Sequence, residues 1–348
     1  MSGQTKRMPP INFVDIAPNS EEIAARHYPH FVTTSTVDTR EEKCEWFTNY
    51  STREPIFTPS GEHLLIDRFH DVLMDLIGYR SEFVFYDTKT CKRVRSYAVA
   101  GKGMTHSLEF SIGGEFLVRG AGVLDKYKAH VQQIESATGK IMREWNYENS
   151  HSPSVALSGG GSILAIGLAQ HKNAEDTDGG LEDHIGTGTW LRHSHGVGQD
   201  TEGVLDDHIG RIILVDLTSG EVIRDWFESE TNGIASVDTS SDGEILAVGY
   251  RDGTAKIRRW RTETPATIVQ HTGTVDKIMI SPDDNLVFLM SSKDASRLVA
   301  HRLDSGEQVH EFEFEGSIGD FDISEDSKTL VVGSTRNNIE IVDLGGES

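Results

Sequence analysis

Residues Gly233 to His271, GIASVDTSSDGEILAVGYRDGTAKIRRWRTETPATIVQH, read as four short strands separated by three turns. Ile234 to Val237 is apolar, Ser241-Asp242-Gly243 is a turn, Ile245 to Val248 is apolar again, and Arg251-Asp252-Gly253-Thr254 is a second turn before Ala255 to Trp260. A third turn, Thr262 to Pro265, leads into Ala266 to Gln270. A four-stranded unit of this size has an apolar face that it cannot bury alone. Copies must therefore stack, and a period of about 40 residues with four strands per copy is the signature of a β-propeller.

Two anchors recur in alternation along the chain. The turn between strands one and two appears as IAPNSEE at Ile16, FTPSGEH at Phe57, FSIGGEF at Phe110, LSGGGSI at Leu157, TSSDGEI at Thr239, ISPDDNL at Ile280 and ISEDSKT at Ile323. The polar turn after strand three appears as VDTREE at Val37, YDTKTC at Tyr86, IESATGK at Ile134, VDLTSGE at Val215, RWRTET at Arg259, HRLDSGE at His301 and VDLGGES at Val342. A third marker, an aromatic residue on strand four, agrees at Tyr97, Trp145, Trp226 and Phe312. The expected fold is all-β: one seven-bladed propeller of four-stranded antiparallel blades. Its repeats lie at about 11–50, 51–100, 104–147, 152–229, 233–271, 274–314 and 317–348. The last repeat reaches Ser348 with no residues for its own outer strand, so Gln4 to Met8 are expected to supply one, the alternative being a three-stranded last blade.

Gln270-His271-Thr272-Gly273-Thr274-Val275, followed by Ile278 to Asp283, resembles the GH-x-G-x-V…SPDG segment of WD40 repeats. Gly249 to Trp260, GYRDGTAKIRRW, resembles their DGT-x-[KR]-[IL]-W segment. The resemblance implies a WD40-like propeller, a fold whose loop-bearing face commonly receives partner proteins.

Anchor spacing locates the insertions. The two anchors lie 19 to 21 residues apart in repeats one, five, six and seven, but 29 apart in repeat two (Phe57 to Tyr86), 24 in repeat three (Phe110 to Ile134) and 58 in repeat four (Leu157 to Val215). The additions fall between strands two and three, and in an up-and-down blade all such loops leave the same face. In repeat two, Arg68 to Arg80 places Phe69, Val72, Leu73, Leu76 and Ile77 on one helical face with Asp71 and Asp75 away from it. A short amphipathic helix is expected there, packed on the disc or offered to a partner, with an extended hairpin as the alternative. Repeat three adds Gly122 to Lys128, with Tyr127 between two lysines.

The long insertion, 171–209, has seven glycines, nine acidic and two basic residues, and five histidines: His171, His184, His193, His195 and His208. Its glycine and charge density favour a polar loop without metal. Imidazoles and carboxylates together could also hold a divalent ion, and His184, His193, His195 and His208 are the candidate ligands for that alternative. Trp190 and Leu191 are an apolar pair in a polar segment. With Tyr127, Phe69 and Asp71 they are the candidate partner contacts.

Composition narrows the function classes. Thirty-three basic against 55 acidic residues give a net charge of −22, which repels phosphate backbones and anionic membranes, so neither nucleic acid nor membrane is expected as a partner. No signal-like or membrane-spanning stretch is found, and Cys44 and Cys91, the only cysteines, are expected as reduced thiols, the alternative being one bridge between them. A cytoplasmic protein, monomeric by itself, is the expectation. No Gly-x-Ser-x-Gly, phosphate-binding loop, His-Glu-x-x-His or Cys-x-x-Cys occurs. The expected function is thus a non-catalytic scaffold without cofactor, binding a partner protein on the face that carries the insertions of repeats two to four. The alternative is a propeller enzyme or a small-ligand or metal-binding protein with the His-rich insertion over the channel mouth.

Overall fold

The repeated apolar runs form strands because each is four to six residues of β-branched and aliphatic side chains closed by Gly, Asp, Ser or Asn turns. The computed structural model describes residues 10–28, 31–48, 52–70, 80–100, 103–123, 128–171, 208–228, 232–262, 267–291, 293–336 and 338–345. Blade one is β1 (Ile11–Ile16), β2 (Glu22–His27), β3 (Phe31–Thr36) and β4 (Glu42–Phe47), and blade two is β5 (Thr52–Phe57), β6 (His63–His70), β7 (Arg80–Asp87) and β8 (Arg93–Ala98). Blade three is β9 (Met104–Phe110), β10 (Phe116–Val123), β11 (Lys128–Glu135) and β12 (Ile141–Glu148), and blade four is β13 (Ser150–Leu157), β14 (Ile163–His171), β15 (His208–Asp216) and β16 (Val222–Glu228). Blade five is β17 (Ile234–Thr239), β18 (Ile245–Tyr250), β19 (Thr254–Arg259) and β20 (Thr267–Gln270). Blade six is β21 (Lys277–Ile280), β22 (Leu286–Met290), β23 (Arg297–Arg302) and β24 (Gln308–Glu313). Blade seven has β25 (Ile318–Ile323), β26 (Thr329–Ser334) and β27 (Ile339–Asp343), three strands among the described residues. Every pairing is antiparallel between chain neighbours. The expected pairing by Gln4 to Met8 lies outside the described residues.

The copies share their apolar faces, as a sheet too small to form a core of its own requires. Seven hydrophobic clusters each join two neighbouring blades, from Ile23, Ala25 and Val331 at the junction of blades one and seven to Phe288, Phe321 and Leu330 between blades six and seven. The second strands are consequently enclosed on both faces, as in β14, where Ile163 to Ala169 are all buried. The outermost strand β12 instead alternates strictly between half-buried and exposed.

The first strand of each blade lines the channel, and first strands of successive blades abut, β13 on β17 and β25 on β1 among them. As an edge strand, each has backbone N–H groups that its own sheet leaves unpaired. Side chains of the preceding blade satisfy them. Glu109 Oε2 accepts from Leu157 N–H (2.8 Å), Asp238 Oδ2 from Ile280 N–H (2.6 Å) and Asp15 Oδ2 from Phe57 N–H (2.6 Å). Two residues earlier on the strand, Ser107, Ser154 and Ser236 do the same for Val155, Val237 and Ile278. Part of the acidic excess is therefore structural.

Two expectations need correction. Arg68 to His70, placed in a helix by periodicity, are strand: β6 and β7 stay paired out to Phe69 with Ser81 and His70 with Arg80. Residues 71–79 lie outside the described residues, and no helix is found among those described. The cysteines are not free thiols but a disulfide, Cys44–Cys91, with Cα atoms 5.6 Å apart. Stacking lays the outer strand of blade one along the turn that follows the third strand of blade two, which brings the two together. Such a bond persists in oxidising surroundings and is rare where thiols are kept reduced.

Blades two, three and four differ from the others in the reach of their middle hairpin. Strands two and three make eight pairs in β6–β7, eight in β10–β11 and nine in β14–β15. They make five or six in blades one, five, six and seven. At about 3.4 Å per residue, the two to four extra pairs carry these hairpins roughly 7–14 Å beyond the plain blades. All three extensions rise from the same face, where first strands begin and second strands end.

Candidate functional site

On that face, at the root of the blade-four insertion, three histidines converge. His171 ends β14 and His208 begins β15, and the two are directly paired across the hairpin. His151, near the start of β13, pairs with Ala169, the residue two before His171 and thus on the same side of β14. Their Nε2 atoms lie 2.9 Å apart for His151 and His208 and 3.3 Å apart for His208 and His171. The rings are not stacked: His151 stands edge-on to His208 at 89°, and the other two pairs are tilted by about 50°.

Blade five walls the cluster. Gly233, at φ 90°, lies so close that a Cβ there would stand 3.0 Å from Ala169 Cβ and 3.5 Å from His208 Cβ. Its carbonyl accepts the N–H of Arg251. His208 is buried, 5 % exposed, and His151 and His171 are half-buried. Burial holds the His151 imidazole well below its usual range, and the Arg251 guanidinium, the neighbouring His208 and His171, and His106 push it the same way. At neutral pH His151 is therefore uncharged and presents a lone pair. Arg251 is itself pushed down by burial, with Asp276 acting in the opposite sense.

Among the described residues this trio is the donor set able to hold a metal ion, its ligand atoms all within 4.8 Å of one another. Of the ligands expected from sequence, His208 is one of the three. His184, His193 and His195 lie outside the described residues, as do the expected partner contacts Trp190, Leu191, Tyr127 and Asp71. Phe69 is a β6 residue on the extended hairpin of blade two. Sequence reasoning counted His171 among the insertion's histidines without naming it a ligand, and missed His151 altogether, which sits 20 positions before His171 on another strand with no local motif. Only the register of β13 against β14 joins them.

A second polar cluster, also unforeseen, lies between blades two and three. Arg119, 1 % exposed, donates from Nε to Thr105 Oγ1 (2.8 Å), from Nη1 to Gln132 Oε1 (3.0 Å), and from Nη2 to Ser81 Oγ (3.2 Å) and the Gly103 carbonyl (2.8 Å). Every partner is internal, so the group acts as a structural clasp.

The WD domain, G-beta repeat model matches residues 220–258. These run from the outer strand β16 of blade four through β17 and β18 into β19, and include most of the Gly249 to Trp260 segment. No curated protein matches the chain. The repeat match and the ring of seven antiparallel sheets agree, and the chain is a WD40-like seven-bladed β-propeller.

Proposed function

We propose that this protein is a non-catalytic interaction scaffold that receives a partner protein on the face bearing the extended hairpins of blades two, three and four. WD40 propellers generally serve as protein-interaction scaffolds. The observation that carries the choice of face is the reach of three consecutive hairpins, β6–β7, β10–β11 and β14–β15, which raise one side of the disc above the rest. A rigid ring with a raised, loop-bearing wall suits recognition of a surface: the scaffold fixes the loops and the loops supply the contacts. The net charge of −22 favours a partner with a basic patch and disfavours nucleic acid or anionic lipid.

The test is affinity capture from the native cell with the full chain, followed by reconstitution with the purified partner. In parallel, one variant carries Trp190→Ala and Leu191→Ala and another has the Tyr127 loop shortened. Loss of binding by at least ~10-fold in either variant, with an unchanged melting temperature, supports this face. A partner held equally well by both, and displaced by substitutions on the opposite face, overturns it.

A further inference from the structure

We propose that His151, His171 and His208 bind one divalent transition-metal ion where the blade-four insertion leaves the propeller. The site is independent of the scaffold reading and stands on three observations.

The first is spacing. Two nitrogens each 2.0–2.1 Å from a tetrahedral zinc are about 3.3–3.4 Å apart. The separations at His208 Nε2, 2.9 Å and 3.3 Å, are within tenths of an ångström of that value, and all three ligand atoms lie within 4.8 Å of one another, so the His151 and His171 rings need only turn toward a shared centre.

The second is the chemistry of the donor set. An imidazole nitrogen carries either one proton or one in-plane lone pair. His208 Nε2 therefore has one good hydrogen bond to make, yet it faces two other Nε2 atoms at contact distance. A cation drawing three lone pairs to one point resolves this crowding, and the mutual tilts of the rings suit three donors facing a shared centre.

The third is placement. Strands β13, β14 and β15 are hydrogen-bonded neighbours in one sheet, so the three histidines are positioned by ladder register rather than by a loop. Three imidazoles with no carboxylate among them select zinc, copper, nickel or cobalt over calcium or magnesium, which take oxygen ligands. Three protein ligands leave a fourth position open.

The experiment uses the full chain with any affinity tag removed, stripped with chelator and titrated with Zn²⁺ by calorimetry and with Co²⁺ by visible absorption. The expected result is one ion per chain and cobalt bands of a low-coordinate, nitrogen-rich site. His151→Gln, His171→Gln and His208→Ala should each weaken Zn²⁺ by at least ~100-fold, the upper end of the cost of losing even a supporting outer contact. The triple variant His184→Ala/His193→Ala/His195→Ala should bind within about threefold of the parent chain. The proposal is overturned if the parent chain takes up neither ion stoichiometrically, or if binding follows the triple variant and ignores His151 and His171. Should His208→Ala fail to fold, His171→Gln, at a half-buried strand end, decides the matter with the triple variant.

Discussion

Asp322 Oδ2 accepts the backbone N–H of Ile16 at 2.8 Å, joining the innermost strand of blade seven to that of blade one across 306 residues of sequence. Asp320 Oδ2 repeats the contact to Val14 at 3.1 Å and, through Oδ1, accepts from Lys277 Nζ of blade six. Closure of the ring thus uses the same carboxylate-to-amide bond that joins blade one to two, three to four and five to six. Among the described residues, side-chain bonds and close packing hold this joint.

Gly319 sits at this joint, where an added Cβ would stand 2.2 Å from the Ile11 carbonyl oxygen and 2.9 Å from Asn12 Cα. Both obstacles are backbone and cannot swing aside. We predict that Gly319→Ala lowers the unfolding free energy by about 1–3 kcal/mol, the range for an overpacked site. Urea denaturation of the two proteins checks this. Equal or higher stability in the variant would mean that the joint is looser than described.

Asp238 gives a pH dependence of stated sign. Half-buried at the channel wall, its carboxyl is pushed by burial up to about 7, against the pull of the Ile280 and Thr239 amides and of Lys277. An unfolded aspartate titrates near ~3.9. Between those values the folded chain holds the extra proton, so this residue's contribution to stability falls as pH rises from about 4 to about 7 and stays low above. Asp238→Asn, which does not titrate, should therefore lose its disadvantage against the parent as pH increases, at no more than ~1.4 kcal/mol per pH unit. A constant difference in unfolding free energy between pH 4.5 and 8 refutes this.

The Cys44–Cys91 bridge closes a loop with a sequence separation of 47 and ties blade one to blade two. Chain-entropy reasoning sets its contribution at about 4 kcal/mol, with measured bridges usually at 2–4. The double variant Cys44→Ala/Cys91→Ala, or the parent chain in reductant, should unfold at a lower denaturant concentration by a corresponding amount. Superimposable curves with and without reductant would argue that the bridge does not form.

Arg119 should tolerate no substitution, including the conservative one. Arg119→Met leaves the Gly103 carbonyl, Gln132 Oε1 and two hydroxyls without their donor inside the protein, at a cost of about 3 kcal/mol or more. Arg119→Lys keeps the charge but replaces a planar fork by a point donor that cannot reach all four. Both variants are expected to melt well below the parent chain in calorimetry, and a lysine variant of parental stability would remove the geometric argument.

The ring was legible in the sequence because its signals are local. Turns such as Ser241-Asp242-Gly243 and the aromatics Tyr97, Trp145, Trp226 and Phe312 recur at fixed offsets, and the excess spacing between Leu157 and Val215 marks the long insertion. The disulfide and the histidine site were not legible, because each joins residues brought together by sheet register or blade stacking. Periodicity went astray at Phe69 for a related reason. Apolar residues at helical spacing in Phe69 to Ile77 carry no sign that the β6–β7 ladder is still in force at Phe69 and His70.

The family match at 220–258 begins near β16 in one sheet and ends within β19 of the next, so the unit that sequence comparison counts is out of phase with the unit that folds. Cutting the gene at the boundaries of the counted unit would leave each fragment with a strand from one sheet and three from another. For anyone dividing this molecule into parts, or grafting blades between rings, whole sheets are obtained only by cutting where an outer strand gives way to the next inner one, as between Phe47 and Thr52 or between Glu148 and Ser150.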